Sequence, residues 1–269
     1  MTYAKLILRK IELVSLLVLV LGLFFTTAAF GVEDLKKVVD SLNKPWTGDF
    51  EQLVQKRAIR VLIPYSKTFY FLDKASQRGA SYEMVKLFDK SINRKLKTRH
   101  LKVQFVFIPT PREKLIPALA QGFGDIAVGN LTITDKRLKQ VDFSDPFSTE
   151  VNEILVTGPK SPSVKVFSDL SGQKIHVRKS SSYYESLELA NKKLMADKKA
   201  GIKIVTVDDN LEDEDLLEML NAGMIPMMII DSHKGEFWAS IFENITLHHE
   251  IKFRENSKIA WAVQKNTPG

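Results

Sequence analysis

The sequence predicts an α/β protein of two small lobes, each a mixed sheet flanked by helices. Three observations lead there. Apolar strand-like runs alternate with helix-spaced segments, the alternation occurs in two successive series, and a Pro/Gly/Ser segment at 157–163 separates them. With 269 residues, 44% of them hydrophobic, the chain is long enough to bury a core in each lobe.

In the first series, residues 59–65 are apolar and β-prone and predict a strand. Residues 82–96 place Met84, Val85, Leu87, Phe88 and Ile92 at helical spacing. Residues 103–108 predict a strand ended by Pro109, and 111–121 a helix with Pro111 in its first turn and Gly122 past its end. Residues 125–129 predict a third strand. This order implies parallel pairing through right-handed crossovers. The second series predicts strands at 153–157 and 174–178, a helix at 183–197, a strand at 202–207, a helix at 212–221 closed by Gly223, and a strand at 226–231. The tail returns to β at 245–249 and 259–264. One lobe is expected to comprise 57–157 with 236–266, and the other 158–235.

The amino terminus reads as an export signal over 1–31. Lys5, Arg9 and Lys10 precede an apolar run at 13–25, and Thr26, Thr27, Ala28 and Ala29 supply small residues for cleavage. The run falls short of the roughly 20 residues a membrane span needs, with an uncleaved anchor as the alternative. Either way the body is expected on the periplasmic side, touching the membrane only through this segment. Residues 32–56 are expected to form a leader packed loosely on the body.

Composition removes several function classes. Lys+Arg 39 against Asp+Glu 32 gives +7, but the charges are interleaved, as in Lys86, Asp89, Lys90, Arg94 and Lys95, which is the pattern of solvated helix faces and not of a nucleic-acid footprint. The absence of cysteine excludes disulfides, thiolate metal sites, Cys nucleophiles and a lipid-modified Cys anchor. His248, His249 and Glu250 lack the i,i+4 spacing of a helical zinc pair, and His100, His176 and His233 are scattered. No phosphate-loop or dinucleotide fingerprint occurs, so neither a metal nor a cofactor is expected. The acidic run from Glu212 to Asp215 opens a predicted helix, where carboxylates suit the dipole; calcium binding is a second reading.

The most informative segment is Gly124-Asp125-Ile126-Ala127-Val128-Gly129-Asn130-Leu131-Thr132-Ile133-Thr134-Asp135-Lys136-Arg137, running on into Val141-Asp142-Phe143-Ser144-Asp145-Pro146-Phe147. A buried strand ends in a Gly-Asn turn, exposing N–H groups and hydroxyls, and a short helix capped by Thr134 then presents Arg137. Converging N–H groups, a hydroxyl and a guanidinium fork suit a carboxylate at a strand end. The plainer alternative is that Thr134 only caps and Arg137 only pairs with Asp142 or Asp145.

This block resembles the signature of the family 3 bacterial solute-binding proteins, and the resemblance extends over nearly all of 57–263. It implies a two-lobed periplasmic-binding-protein (Venus-flytrap) fold closing on amino acids and related solutes, with Thr132 and Arg137 holding the ligand carboxylate and the Asn130 backbone assisting. It further implies ligand contacts at Arg178 and Ser182, where plain helix capping by Ser181 or Ser182 is the alternative, and at Asp231, which as a helix cap would look the same. Tyr65 and Phe69 are candidates to wall the ligand's apolar part. Pro64 stands where amino-acid binders often carry an acidic residue, a departure from an ordinary amino-acid site. Arg112 has a cleft reading and a more common surface one.

A narrower similarity joins Lys67-Thr68-Phe69-Tyr70-Phe71, Gln77-Arg78-Gly79, Leu96-Lys97-Thr98-Arg99-His100-Leu101, Ser180-Ser181-Ser182-Tyr183-Tyr184 and Leu211-Glu212-Asp213-Glu214-Asp215-Leu216-Leu217 to the binding half of lytic transglycosylase F-type proteins. The resemblance implies a monomeric, non-catalytic binding module for an amino acid, peptide or peptidoglycan fragment. Its partner would be an ABC permease or a peptidoglycan-lytic protein. The sensor half of a truncated lytic transglycosylase and an exported dehydratase on the same fold, with Glu185 or Asp231 as the only placed carboxylates, are the alternatives.

Overall fold

The computed structural model describes residues 40, 42–98 and 101–267, so the expected export signal lies outside the described residues. The chain divides into two units, 1–44 and 45–269. In the first, Asp40 and Leu42 are helical. The second carries the fold described below.

Its elements in chain order are α1 (Phe50–Lys56), β1 (Ala58–Ile63), β2 (Phe71–Asp73), β3 (Ser76–Arg78), α2 (Ala80–Lys95), β4 (Gln104–Pro109) and a 3-10 turn, Arg112–Lys114, leading into α3 (Leu115–Ala120). There follow β5 (Ile126–Thr132), α4 (Asp135–Leu138), β6 (Asp142–Phe143), β7 (Ser148–Thr157), β8 (Lys174–Arg178) and α5 (Ser182–Ala196). The last are β9 (Lys203–Val207), α6 (Asp213–Asn221), β10 (Met227–Asp231), α7 (Ser232–Ala239) and β11 (Thr246–Val263). The strands run in the order β4-β1-β5-β11-β7-β10-β8-β9, with β6 paired to β11. As the crossovers predict, β1 is parallel to β4 and β5, and β8 is parallel to β10 and β9.

Alternation along the strands explains why both sheet faces are covered. Val61, Ile63 and Val128 pack on α2 through Val85, whereas Leu62, Ala127 and Leu131 pack on α3 through Leu115 and Leu119. In the second lobe, Leu155, Met227 and Ile229 meet α5 through Leu187 and Leu194. Ile154, Val156, Met228 and Ile230 face α6 through Leu216, Leu217 and Leu220. Successive apolar residues therefore bury in opposite directions, the pattern of strands sandwiched between helices.

The expected tail strands at 245–249 and 259–264 are one strand of 18 residues. Its start pairs with β7 (Thr246 with Thr157) and its end with β5 (Val263 with Ile126), and register shifts along β7 absorb the polar stretch between. Thus β7 and β11 run through both lobes. A hairpin of β2 and β3, which the aromatic-rich sequence there does not announce, sits beside Gly79; Gly79 has φ 118°, and a Cβ there would collide with the Phe69 backbone.

The leader is held from Pro45 onward, not loose. Trp46 N–H donates to the Gly122 carbonyl at 2.8 Å, and its own carbonyl accepts from Arg60 at 3.1 Å and Gln264 at 3.0 Å. A capping box of Asp49 and Gln52 then starts α1. Arg60 is locked to Asp125 by an ion pair of 2.8 Å with both side chains buried.

Candidate functional site

The carboxyl ends of β1, β5, β8, β9 and β10 converge where the lobes face one another, the place where open α/β sheets bind ligands. Within β5, Asn130 takes a left-handed backbone (φ 52°), an unusual conformation that asparagine tolerates. The register of β11 against β5 shifts at the same end of the strand. The Asn130 side chain reaches across to donate to Asp231 Oδ2 at 3.1 Å. Two residues on, Thr132 Oγ1 accepts from Ser182 Oγ at 3.3 Å. The Arg137 guanidinium, carried by α4, donates to the Thr132 carbonyl at 2.8 Å and the Ser180 carbonyl at 3.5 Å. Six of the eight residues expected to bind are Asn130, Thr132, Arg137, Arg178, Ser182 and Asp231, and they come together along this seam.

The plainer alternatives fare differently. Asp142 pairs with Lys265 at 2.9 Å, so it is not the partner of Arg137. Thr134 does cap α4, accepting from Arg137 N–H at 3.3 Å. Ser181 caps α5, which leaves the Ser182 hydroxyl for Thr132. Asp231 precedes α7 but its side chain makes no capping bond. Tyr65 and Phe69 lie at the edges of the polar centre: Tyr65 lines a cavity of about 200 Å³ with Pro64, Arg112 and Glu212. Phe69 lines one of about 140 Å³ with Asp213, Lys234 and Trp238. A cavity of about 570 Å³ behind Phe50, Phe88 and Trp261 shares no wall with the seam.

The sequence underrates the seam's charges. Arg112 is partly buried, its side chain only 9% exposed, and not on the surface. Its Nε donates to both oxygens of Glu212 at 2.9 Å and its Nη2 to Oε2 at 2.7 Å, while Nη1 holds the Gly129 carbonyl at 2.6 Å. Arg178 Nη2 grips Asp213, and its Nη1 donates to the Leu211 carbonyl at 2.7 Å. Lys234 Nζ lies 2.8 Å from Asp213 Oδ2 and 3.2 Å from Asp231 Oδ2. Ser66 Oγ donates to Glu214 at 2.6 Å, and Lys67 bridges Asp215 and Glu218. The acidic run at the start of α6 is therefore the anionic wall of the seam as well as a helix N-terminus. A signal for Lys234 exists in the sequence: a lysine in a helix's first turn opposes the dipole, so it needs an anionic partner.

Burial sets the protonation states. It pulls the Arg137 guanidinium below its ordinary pKa, aided by Arg112, with Glu185 and Glu153 opposing. For Asp213, burial favours the neutral acid, but Arg178 and Lys234 overcome it and hold the carboxyl well below the usual range. Burial lifts Glu153, and Asp231 beside it adds to the rise. Asp231 Oδ1, Glu153 Oε1 and Arg178 Nε are buried with no hydrogen-bond partner among the described residues, so the seam keeps unused acceptors and an unused donor. No group of three or more metal-ligating side chains occurs among the described residues.

Comparison with known proteins fits this geometry. A family model described as bacterial extracellular solute-binding proteins, family 3, matches residues 59–228. The chain belongs to that family. Curated relatives include the membrane-bound lytic murein transglycosylase F of Desulfosudis oleivorans, 26% identical over 248 residues, covering 92% of this chain and 49% of the relative. That of Pseudomonas fluorescens is 27% identical over 223 residues, covering 82% and 42%. The chain thus spans about half the length of the curated relatives it matches. An ancestral arginine-binding protein bound to arginine aligns with TM-score 0.61 and 24% identity over 78% of this chain and 85% of its own. A putative transporter binding component of Wolinella succinogenes complexed with lysine gives 0.62 and 19% over 79% and 84%. These likenesses establish the two-lobed fold, and family membership establishes a ligand-binding protein. No helix among the described residues is long and apolar enough to cross a membrane.

Proposed function

We propose that this chain is an exported binding module whose lobes close on a small carboxylate-bearing ligand, such as an amino acid, peptide or peptidoglycan fragment. The observation that carries the reading is the meeting of Thr132 and Arg137 with Ser180 and Ser182, four polar residues from opposite lobes within 3.5 Å of one another's groups. A guanidinium fork beside two hydroxyls at a strand end is suited to one planar anion. The lobes swing about β7 and β11, and ligand that touches both walls shifts the population toward the closed form.

The similarity to lytic murein transglycosylases F favours a role in regulating cell-wall turnover over delivery to a permease. The module itself performs no chemistry in this reading. Thermal unfolding of residues 32–269 against free amino acids, N-acetylated amino acids, short peptides and peptidoglycan fragments tests it. A ligand at 100 times its Kd stabilises by about 2.7 kcal/mol, and Arg137→Ala removes the shift while the unliganded midpoint stays within a few degrees. A shift that survives Arg137→Ala sinks the assignment of the carboxylate site.

A further inference from the structure

Lys234 is placed as a bound ligand would be. Its Nζ is 2.8 Å from Asp213 Oδ2, 3.2 Å from Asp231 Oδ2 and 3.3 Å from the Tyr183 hydroxyl. The Phe69 ring stands 5.7 Å away, within the range at which an aromatic face attracts a cation. Two carboxylates, a phenol oxygen and one aromatic ring around one nitrogen make an ammonium cage. The side chain is only 8% exposed, so the charge is held almost without water. The walls come from β2's approach loop (Phe69), α5 (Tyr183), α6 (Asp213) and β10 (Asp231), while Lys234 reaches in from α7.

Lys234 is tied into a buried ion-pair network. Asp213 is shared between Arg178 and Lys234, Glu212 between Arg112 and Arg178, and Asp231 between Lys234 and the Asn130 amide. Within this network Arg112, Arg178 and Lys234 face Glu212, Asp213 and Asp231. Adding a second ammonium would place two like charges in one desolvated cage, whereas removing Lys234 would leave a buried negative charge unmatched.

We propose that Lys234 is a tethered ammonium standing between Asp213 and Asp231, where a ligand's amino group would otherwise pair with Asp231, so that the ligand is a carboxylate whose amino group is absent or acylated. This rests on the carboxylate reading above and narrows it. Lys234 thereby acts as the specificity-determining residue against free amines.

The test uses the cavity that a truncation would leave. In Lys234→Ala, propylammonium chloride replaces the missing stem and charge, and it raises the thermal midpoint by at least about 2 °C over sodium chloride at equal ionic strength. The wild type and Lys234→Met, whose apolar chain fills the same space, show no such rise. Absence of rescue in Lys234→Ala, or equal rescue in Lys234→Met, overturns the cage.

Should Lys234→Ala not fold, the lack of any native cysteine offers a second route. Lys234→Cys, alkylated under denaturant with bromoethylamine, regains a lysine-length ammonium as the thiolate displaces bromide. That adduct is expected to refold, and the neutral iodoacetamide adduct is expected to remain unfolded or clearly less stable. Equal behaviour of the two adducts overturns the proposal. For ligand class, N-acetyl amino acids are expected to shift the wild-type midpoint and their free counterparts not. A free amino acid that shifts the wild type through Arg137 overturns the narrowing. If no carboxylate shifts the wild type at all, the binding reading itself fails, while the propylammonium result still decides the cage.

Discussion

The pair Arg112–Glu212 lets the strength of the interlobe seam be predicted. Arg112 lies at the entrance to α3 in the first lobe, Glu212 caps α6 in the second, and their side chains are 9% and 8% exposed. Three hydrogen bonds of 2.7 to 2.9 Å join them in a bidentate fork. Burial alone disfavours the Arg112 charge, yet Glu212 and Asp213 raise its pKa above the ordinary value. Breaking a buried pair by deleting one partner costs about 3–5 kcal/mol. Arg178 stays 3.3 Å from the same Glu212 oxygen, so the abandoned carboxylate keeps one cation. Arg112→Ala is therefore expected at the low end, about 3 kcal/mol, which is about two decades in the ratio of closed to open forms.

Urea unfolding of the wild type, Arg112→Ala, Glu212→Gln and the double variant isolates the coupling, expected at about 2–3 kcal/mol and accompanied by a larger radius of gyration in solution scattering for each single variant. A coupling within about 0.5 kcal/mol of zero would falsify the view that this pair clamps the lobes.

Two further predictions concern buried carboxyls. Asp213 has its folded pKa depressed, so its contribution is complete above the unfolded value of about 3.9 and fades as pH falls through the folded one. Asp213→Asn is expected to cost about 3–5 kcal/mol at pH 7, with the gap to wild type shrinking below about pH 4; a gap unchanged at pH 3 in urea melts refutes this. Glu153 has the opposite shift, raised first by burial, so the wild type loses stability as pH rises from about 4.3 toward the folded value. Glu153→Gln removes that loss and gains on the wild type as pH rises above the unfolded value of about 4.3; parallel pH profiles of the two proteins would contradict it.

Much of this protein is legible in its sequence because the signals are local. The strand at 174–178 carries its alternation in five consecutive residues and appears at those bounds, and α5 begins where three serines meet an apolar helical face. The block after Asn130 is legible in part: the hydroxyls and the short helix capped by Thr134 follow from residue type, whereas the expected Gly-Asn turn is absent and β5 runs on to Thr132 with Asn130 in a left-handed backbone. What depends on partners distant in the chain could not be read in this way. The 18 residues of β11 become one strand because β7 and β5 supply its hydrogen bonds. The acidic start of α6 looks like dipole compensation until Arg112, Ser66 and Arg178 are brought against it from 34 to 148 residues away. Lys234 looks like a surface lysine on a short helix until Asp213, Tyr183 and Phe69 close around it. The physical reason is common to all three: backbone preference and apolar periodicity act over a few residues, whereas strand pairing and the energy of a buried charge are set by whichever groups the tertiary fold places within a few ångströms.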